Sequence, residues 1–305
     1  MDYVSQPDES TSVSGATADL RLGRAKTESP WRQTVRRLRR HNGAMLGLTI
    51  VGVLILVAII GPYIAPYDDR AIAGGSLSPP NRSTIMGTDV LGRDIFSRVL
   101  MGARISLTVG FVSVAIGLVI GVTLGLIAGF YGRKADIAVS MFVDTMLAFP
   151  GILLAIAIVS ILGPSLRNAM IAVGIGSFPA YARLVRGQVL SAKENEYVEA
   201  ARIVGATNMR LMIKHVLPNV IAPVIILSTL RIGTAILTAA GLSFLGLGAQ
   251  PPTPEWGAMV NDGRNYLRVA WWITTFPGIA IMLTVLAVNQ VGDGLRDALD
   301  PRGRR

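Results

Sequence analysis

The sequence predicts an all-α polytopic membrane protein with six transmembrane helices. Three observations carry that fold class. The 305 residues are 51% hydrophobic and only 16% charged, whereas a soluble domain carries about 25% charged residues. Six apolar stretches reach or approach the roughly 20 residues that cross a bilayer. The 29 lysines and arginines concentrate on alternate connections between those stretches. The chain has no cysteine, which excludes disulfides and thiolate metal sites. A net charge of +10 would suggest nucleic acid in a soluble protein, but here the charge follows the bilayer, and no nucleic-acid partner is expected.

Residues 1–43 read as a cytoplasmic tail, polar and largely disordered up to about residue 30. The tail ends in the basic juxtamembrane cluster RRLRRH at 36–41, a topology determinant that also touches anionic lipid. The first apolar run starts only near Ala44, too late and too long for a cleaved signal. It is the first span, at 44–65, and opens a transmembrane domain over 44–292. The second span is expected at 105–130 and the third at 138–162. Asp136, Ser140 and Asp144 form one polar stripe where the third begins. The fourth, 168–187, contains Pro179 and carries Arg183 and Arg186 near its end. The fifth is at 219–246, the sixth at 272–292, and residues 293–305 form a cytoplasmic C-terminal tail. With both termini inside, twenty lysines and arginines lie inside and eight outside, as the positive-inside rule favours. Trp31 and Tyr131 fall at the inner border, and Tyr63, Tyr67, Trp256, Trp271 and Trp272 at the outer one, the depth such rings prefer.

Gly117, Gly121, Gly125 and Gly129 recur every fourth residue in the second span. They make a smooth face suited to close helix packing, within the fold or against a partner, with a narrow face along a substrate path as the alternative. Ahead of that span, GTDVLGRDIFSRVLMGARISL at 87–107 predicts a short helix at the outer membrane surface. Ile95, Phe96, Val99 and Leu100 share one face, and Asp94 pairs with Arg98.

Between the fourth and fifth spans lies a polar segment, QVLSAKENEYVEAARIVGATNMRLMIKHVLPN, at 188–219. Ser191 and Glu194 fit a capping box that would start a helix there. That helix would run to about Val204 and stop at Gly205 in the left-handed conformation. Thr207 or Asn208 would cap a second helix, ended by Pro218. Its apolar stripe is Met209, Met212, Ile213 and Val216, opposite Arg210 and Lys214. Spacing alone is equally compatible with an ordinary amphipathic connector.

Glu199-Ala200-Ala201, then Gly205, then Leu217-Pro218 resembles the EAA loop of ABC-importer permeases. The longer string, with His215 where many importers place isoleucine, is similar to the dipeptide/oligopeptide/nickel permease family. Two further strings, GTDVLGRDIFSRVLMGARISL and GLSFLGLGAQPPTPEWGAMV (241–260), resemble signatures of its C-type subunit. The resemblance covers about 44–300. It implies the type I ABC importer permease fold, an EAA coupling loop at 188–218, and ATPase coupling through Glu199, Ala200, Ala201, Gly205, Leu217 and Pro218. It further implies a sister B-type permease, two cytoplasmic ABC ATPases and an extracytoplasmic solute-binding protein. The chain would sit in the cytoplasmic membrane and import short peptides. Nickel or glutathione is the alternative solute. ATP and magnesium would belong to the partner ATPases, with no cofactor, metal or catalytic residue in this chain.

The residues themselves agree with that absence of chemistry. There is no GxxxxGK[ST], HExxH or GxSxG string. With His41 the only other histidine, His215 is not expected to bind metal. Arg231 lies about 12 residues into the fifth span, where a charge costs roughly 2.5–3.5 kcal/mol. It faces the translocation path, or it is a structural ion pair with Asp144 as the candidate partner, or the span is shifted to wet it. The rival outside the family is a self-sufficient secondary transporter or channel, which should show inverted repeats that are not evident. A membrane scaffold without transport leaves the EAA-like segment unexplained.

Overall fold

The computed structural model describes residues 30–299, and its named elements are all helical. They are α1 (Pro30–Arg40), α2 (Asn42–Ile64), α3 (Ile95–Tyr131), α4 (Arg133–Leu147), α5 (Gly151–Leu162), α6 (Leu166–Ala192), α7 (Glu196–Ile203), α8 (Asn208–Arg210), α9 (Leu217–Phe244), α10 (Trp256–Gly263) and α11 (Trp272–Leu299). Four helices are long and apolar enough to cross a bilayer: α2, α3, the continuous stretch Asn208–Phe244, and α11. The pair α4–α5, bent by 92°, makes a fifth. The fourth expected span is α6, which has 27 residues. Arg167, Arg183 and Arg186 dilute its apolar character, and it falls short of the same test.

The glycine stripe of α3 explains how α6 is placed. A Cβ at Gly125 would come within 2.7 Å of both the Ala182 carbonyl oxygen and the Val185 Cβ, and one at Gly129 within 2.7 Å of the Val189 Cβ. Gly117 and Gly121 meet Ser177 and Tyr181 in the same register. The four glycines therefore pack α3 against α6 within this chain, and both sequences rise together, so the two helices are parallel. Between them, α4 and α5 bring the chain back. α9 and α11 are antiparallel, with Gly233 against Asn289 and Gly292 against Leu230. The start of α2 meets the end of α11 at Ala44 and Gly294. The largest core cluster joins α3, α5, α6 and α9 through Val109, Val159, Tyr181, Val185 and Leu242.

Several local expectations need correction. The outer helix and the second span form one helix of 37 residues. Asp94 caps it, accepting from the Ser97 amide at 2.8 Å and the Ser97 hydroxyl at 2.7 Å. Arg98 does not pair with Asp94. It lies 3.8 Å from Asp89 and donates to the carbonyls of Asp69 (2.9 Å) and Pro252 (3.3 Å). A cap outcompetes an i,i+4 pair because it satisfies backbone donors that otherwise have no partner. The third span breaks before α5, since Pro150 disfavours helical backbone at Phe149. The outer tryptophans are not all at lipid. Trp256 and Trp272 are buried, with indole N–H groups donating to Val99 and Thr88 carbonyls, both at 3.0 Å. Only Trp271 is exposed among these three. The side chain of Trp31 and most of the 1–43 tail lie outside the described residues, and α11 runs past 292 to Leu299.

Candidate functional site: the α6–α9 elbow and the Arg231 cavity

The elbow begins where α6 ends. The expected capping box does not form, because Ser191 lies inside α6, which is capped at Lys193. Instead the Lys193 ammonium donates to the Gly129 carbonyl at 3.0 Å, tying the elbow to the end of α3. Asn195 donates to the Ala192 carbonyl at 2.9 Å and turns the chain into α7. α7 is short, too short to persist alone. Its one fully buried side chain, Val198, holds it to the body.

Gly205 ends α7 as the spacing predicts, at φ +92°. The Gly205 amide donates to the Arg202 carbonyl and the Ala206 amide to the Ala201 carbonyl, both at 3.0 Å. This is the Schellman arrangement, which fixes the exit angle of the chain. Thr207 then caps α8, accepting from the Arg210 amide at 3.4 Å. The second helix does not stop at Pro218. A π-helical turn, Leu211–Val216, joins α8 to α9, and Pro218 follows it at the head of α9. The elbow is thus continuous with a long membrane helix.

Two residues that sequence reasoning missed lock the elbow shut. Asn219 donates to the Tyr197 hydroxyl at 2.9 Å and to the His215 carbonyl at 2.6 Å. The Tyr197 hydroxyl also donates to the His215 carbonyl at 3.4 Å. These bonds join α7 to α9 across the turn. Their only trace in the sequence is a polar Asn219 at the head of an apolar run.

Leu211, Met212 and Val216 are buried, so the predicted stripe splits, and Met209 and Ile213 face outward. With Ile203 and Val204, 81% and 88% exposed, they form an apolar patch on an otherwise charged elbow. Beside it lies a groove of about 390 Å³ lined by Ala200, Ala201, Val204, Gly205, Arg210 and His215. Glu199 is exposed next to these alanines, Leu217 is half-buried and Pro218 is exposed. Exposed apolar side chains around a groove mark a surface for another protein.

The second place of interest is within the helices. Arg231 lines a cavity of about 110 Å³ with Gly151, Ile152, Ser177, Thr234 and Thr238. The suggested Asp144 partner is not available, because Arg183 donates to Asp144 at 2.6 Å. Among the described residues, no ion pair to Arg231 is found. Asp136 is held instead by Arg186, whose second nitrogen donates at 2.7 Å. The cavity lies at the α4–α5 break, where Gly151 and Gly176 leave room.

Comparison with known proteins agrees with this geometry. Residues 121–305 match the family model described as the binding-protein-dependent transport system inner membrane component. Residues 29–80 match the N-terminal TM domain of oligopeptide transport permease C. A dipeptide transport system permease protein DppC from Alkalihalophilus pseudofirmus is 51% identical over 90% of this chain and 90% of its own. A glutathione transport system permease protein GsiD from Pectobacterium atrosepticum is 49% identical over 90% and 92%. A di/tripeptide permease DppC from Pseudomonas aeruginosa is 47% identical over 90% and 93%. A chain of the inward-facing MetNI methionine ABC transporter shares the fold, with a TM-score of 0.53 and 23% identity over 67% of this chain and 97% of its own. With a family model matched over residues 121–305 and a relative 51% identical over 90% of its length, the chain belongs to the family of binding-protein-dependent ABC transport inner membrane permeases.

Proposed function

We propose that this chain is the membrane-spanning subunit of an ATP-driven importer of short peptides, coupled to separate ATPase subunits through the elbow at 188–218. The single observation that carries the coupling reading is the rigid elbow with its exposed apolar groove. It is locked by Asn219, Tyr197 and a Schellman turn, and it runs without a break into α9. Force applied to such an element reaches the membrane helices, whereas a disordered loop would absorb it. Glu199, Ala200, Ala201 and Gly205 form the docking face, and Leu217 and Pro218 begin the helix that carries the motion.

The solute reading rests on the relatives, two of which are named for dipeptides or di/tripeptides. Glutathione is a second reading, since relatives at similar identity are named for it, and glutathione is itself a small peptide. Arg231 lies on the translocation path, where its charge, without an ion pair among the described residues, offers a counter-ion for a peptide carboxylate. The chain carries no catalytic residue, cofactor or metal of its own. ATP and magnesium belong to two cytoplasmic ABC ATPases, and a sister B-type permease and an extracytoplasmic binding protein complete the complex. Both termini face the cytoplasm, with tails over 1–43 and 293–305 flanking the permease domain 44–292. Twenty lysines and arginines inside against eight outside support that orientation.

Co-purification from native membranes tests the assembly. An ATPase and a sister permease should accompany the chain, and uptake of a labelled dipeptide should need both. Competition by unlabelled glutathione or nickel separates the solute readings. Uptake by this chain alone in vesicles would overturn the importer reading.

A further inference from the structure

We propose that α4 is a gate held against α6 by two ion pairs, Asp136–Arg186 and Asp144–Arg183, and that these four residues position it for each transport stroke. The inference rests on the coupling role of the elbow proposed above.

α4 is sparsely buried. Val143 is its one buried residue, and Ile137, Met141 and Phe142 are exposed. Two ion pairs and a small apolar cluster hold α4 to α6. Arg183 donates to Asp144 at 2.6 Å and Arg186 to Asp136 at 2.7 Å, while Val143 packs with Phe178 and Ala182. Within α4, Ser140 donates to Asp136 at 3.3 Å and orients that carboxylate. A single stack of Phe142 on Phe178, 5.6 Å between centroids, is added to these. A cavity of about 330 Å³ lies between the two helices, lined by Val139, Ser140, Val143 and Ala182 together with Asp144, Arg183 and Arg186.

Both ends of α4 are jointed. Gly132 and Arg133 precede and begin it with φ of +62° and +43°. A left-handed backbone is unusual for a residue with a side chain. The 92° bend at Pro150 follows it. α6, by contrast, is clamped to α3 at four glycines and runs unbroken through Arg183 and Arg186 to Ala192, where the elbow begins. A stroke at the elbow therefore moves α3 and α6 as one body, and α4, seated on both through the small cluster of Val143, Phe178, Ile120 and Leu124, is the element with a joint at each end that can shift against it.

The exposure of the pairs suits this task. The Asp144 and Arg183 side chains are 62% and 64% exposed. The bundle of this chain therefore does not enclose that pair on all sides, and it can part without unpacking a core. The outer pair Asp89–Arg93, at 3% and 7%, is a permanent fastening by comparison.

The test uses the complete reconstituted complex. Asp144→Arg and Arg183→Asp are expected each to lower solute moved per ATP hydrolysed by about tenfold, within the range of coupling between contacting charges. The double swap should restore most of that loss. Wild-type transport by both single variants, or a swap as impaired as either single in an assembled complex, overturns the proposal. If a single variant fails to assemble, a second measurement decides. The chain has no cysteine, so Val139→Cys with Ala182→Cys gives a clean cross-link across the α4–α6 cavity. Its yield should differ between nucleotide-free and ATP-bound complex. An unchanged yield in a complex that still couples through Glu199 sinks the gate while sparing the elbow. Loss of Glu199 dependence would sink the elbow itself.

Discussion

Arg231 and Gly205 make different physical claims at the scale of single residues. Arg231 has no anionic partner among the described residues, yet it sits where a charge is costly unless water or a partner receives it. Arg231→Gln should leave assembly and insertion intact and lower dipeptide uptake, most for solutes with a free carboxylate. Uptake assays with a peptide and its C-terminal amide check this, and equal loss for both would contradict it. Gly205 is a backbone case. A Cβ there meets nothing of this chain within 4 Å, so within the chain Gly205→Leu acts through the strain of φ +92°, a cost of about 1–2 kcal/mol. The elbow should loosen and its docking face should be crowded, and uptake per ATP should fall while expression stays normal. The left-handed stop at Gly205 was legible in the sequence, because few other residues end a helix that way. The Asp94–Arg98 pairing was misread, because helical spacing cannot reveal that Asp94 is outside the helix and caps it, or that Asp89 lies near Arg98.

Elements show a similar division. The glycine stripe correctly marked a packing face, and the structure identifies α6 as its partner. Gly125→Val should overpack that face and destabilise the bundle by about 1–3 kcal/mol. Thermal unfolding in detergent should therefore show a lower midpoint, and an unchanged midpoint would mean that α3 and α6 are less tightly joined. The break between α4 and α5 was not read, although Pro150 was visible, because an apolar run looks continuous across a bend. The elbow's two short helices were anticipated, yet the lock from Asn219 to Tyr197 was not. It depends on residues 22 positions apart, a separation no helical period encodes.

For the whole molecule, the bilayer-spanning architecture was legible from composition and charge, since a membrane imposes length and apolarity directly. The buried polar cap on the side opposite the elbow was not, because Arg98 reaches the Pro252 carbonyl, 154 positions away, and acts on Asp262 in α10. There α10 carries Asp262, whose carboxyl is raised above the usual carboxylate range chiefly by burial, against the lowering influence of Arg98 and Arg93. A raised acid favours its protonated form in the folded state. Its contribution to stability is full below the ordinary carboxylate range and is lost as pH rises through the raised value. Asp262→Asn should remove that loss, so the variant should gain on the wild type in unfolding midpoint as pH rises from about 4.

All of these features serve one mechanical claim, that the elbow passes ATP-driven motion to the membrane helices. The most direct test is the ratio of dipeptide accumulated to ATP hydrolysed by the complete reconstituted complex, compared between wild type and Glu199→Lys. The expected result is a sharp fall in that ratio, or loss of the ATPase from the complex, with the chain still inserted. An unchanged ratio in an intact complex would contradict the account.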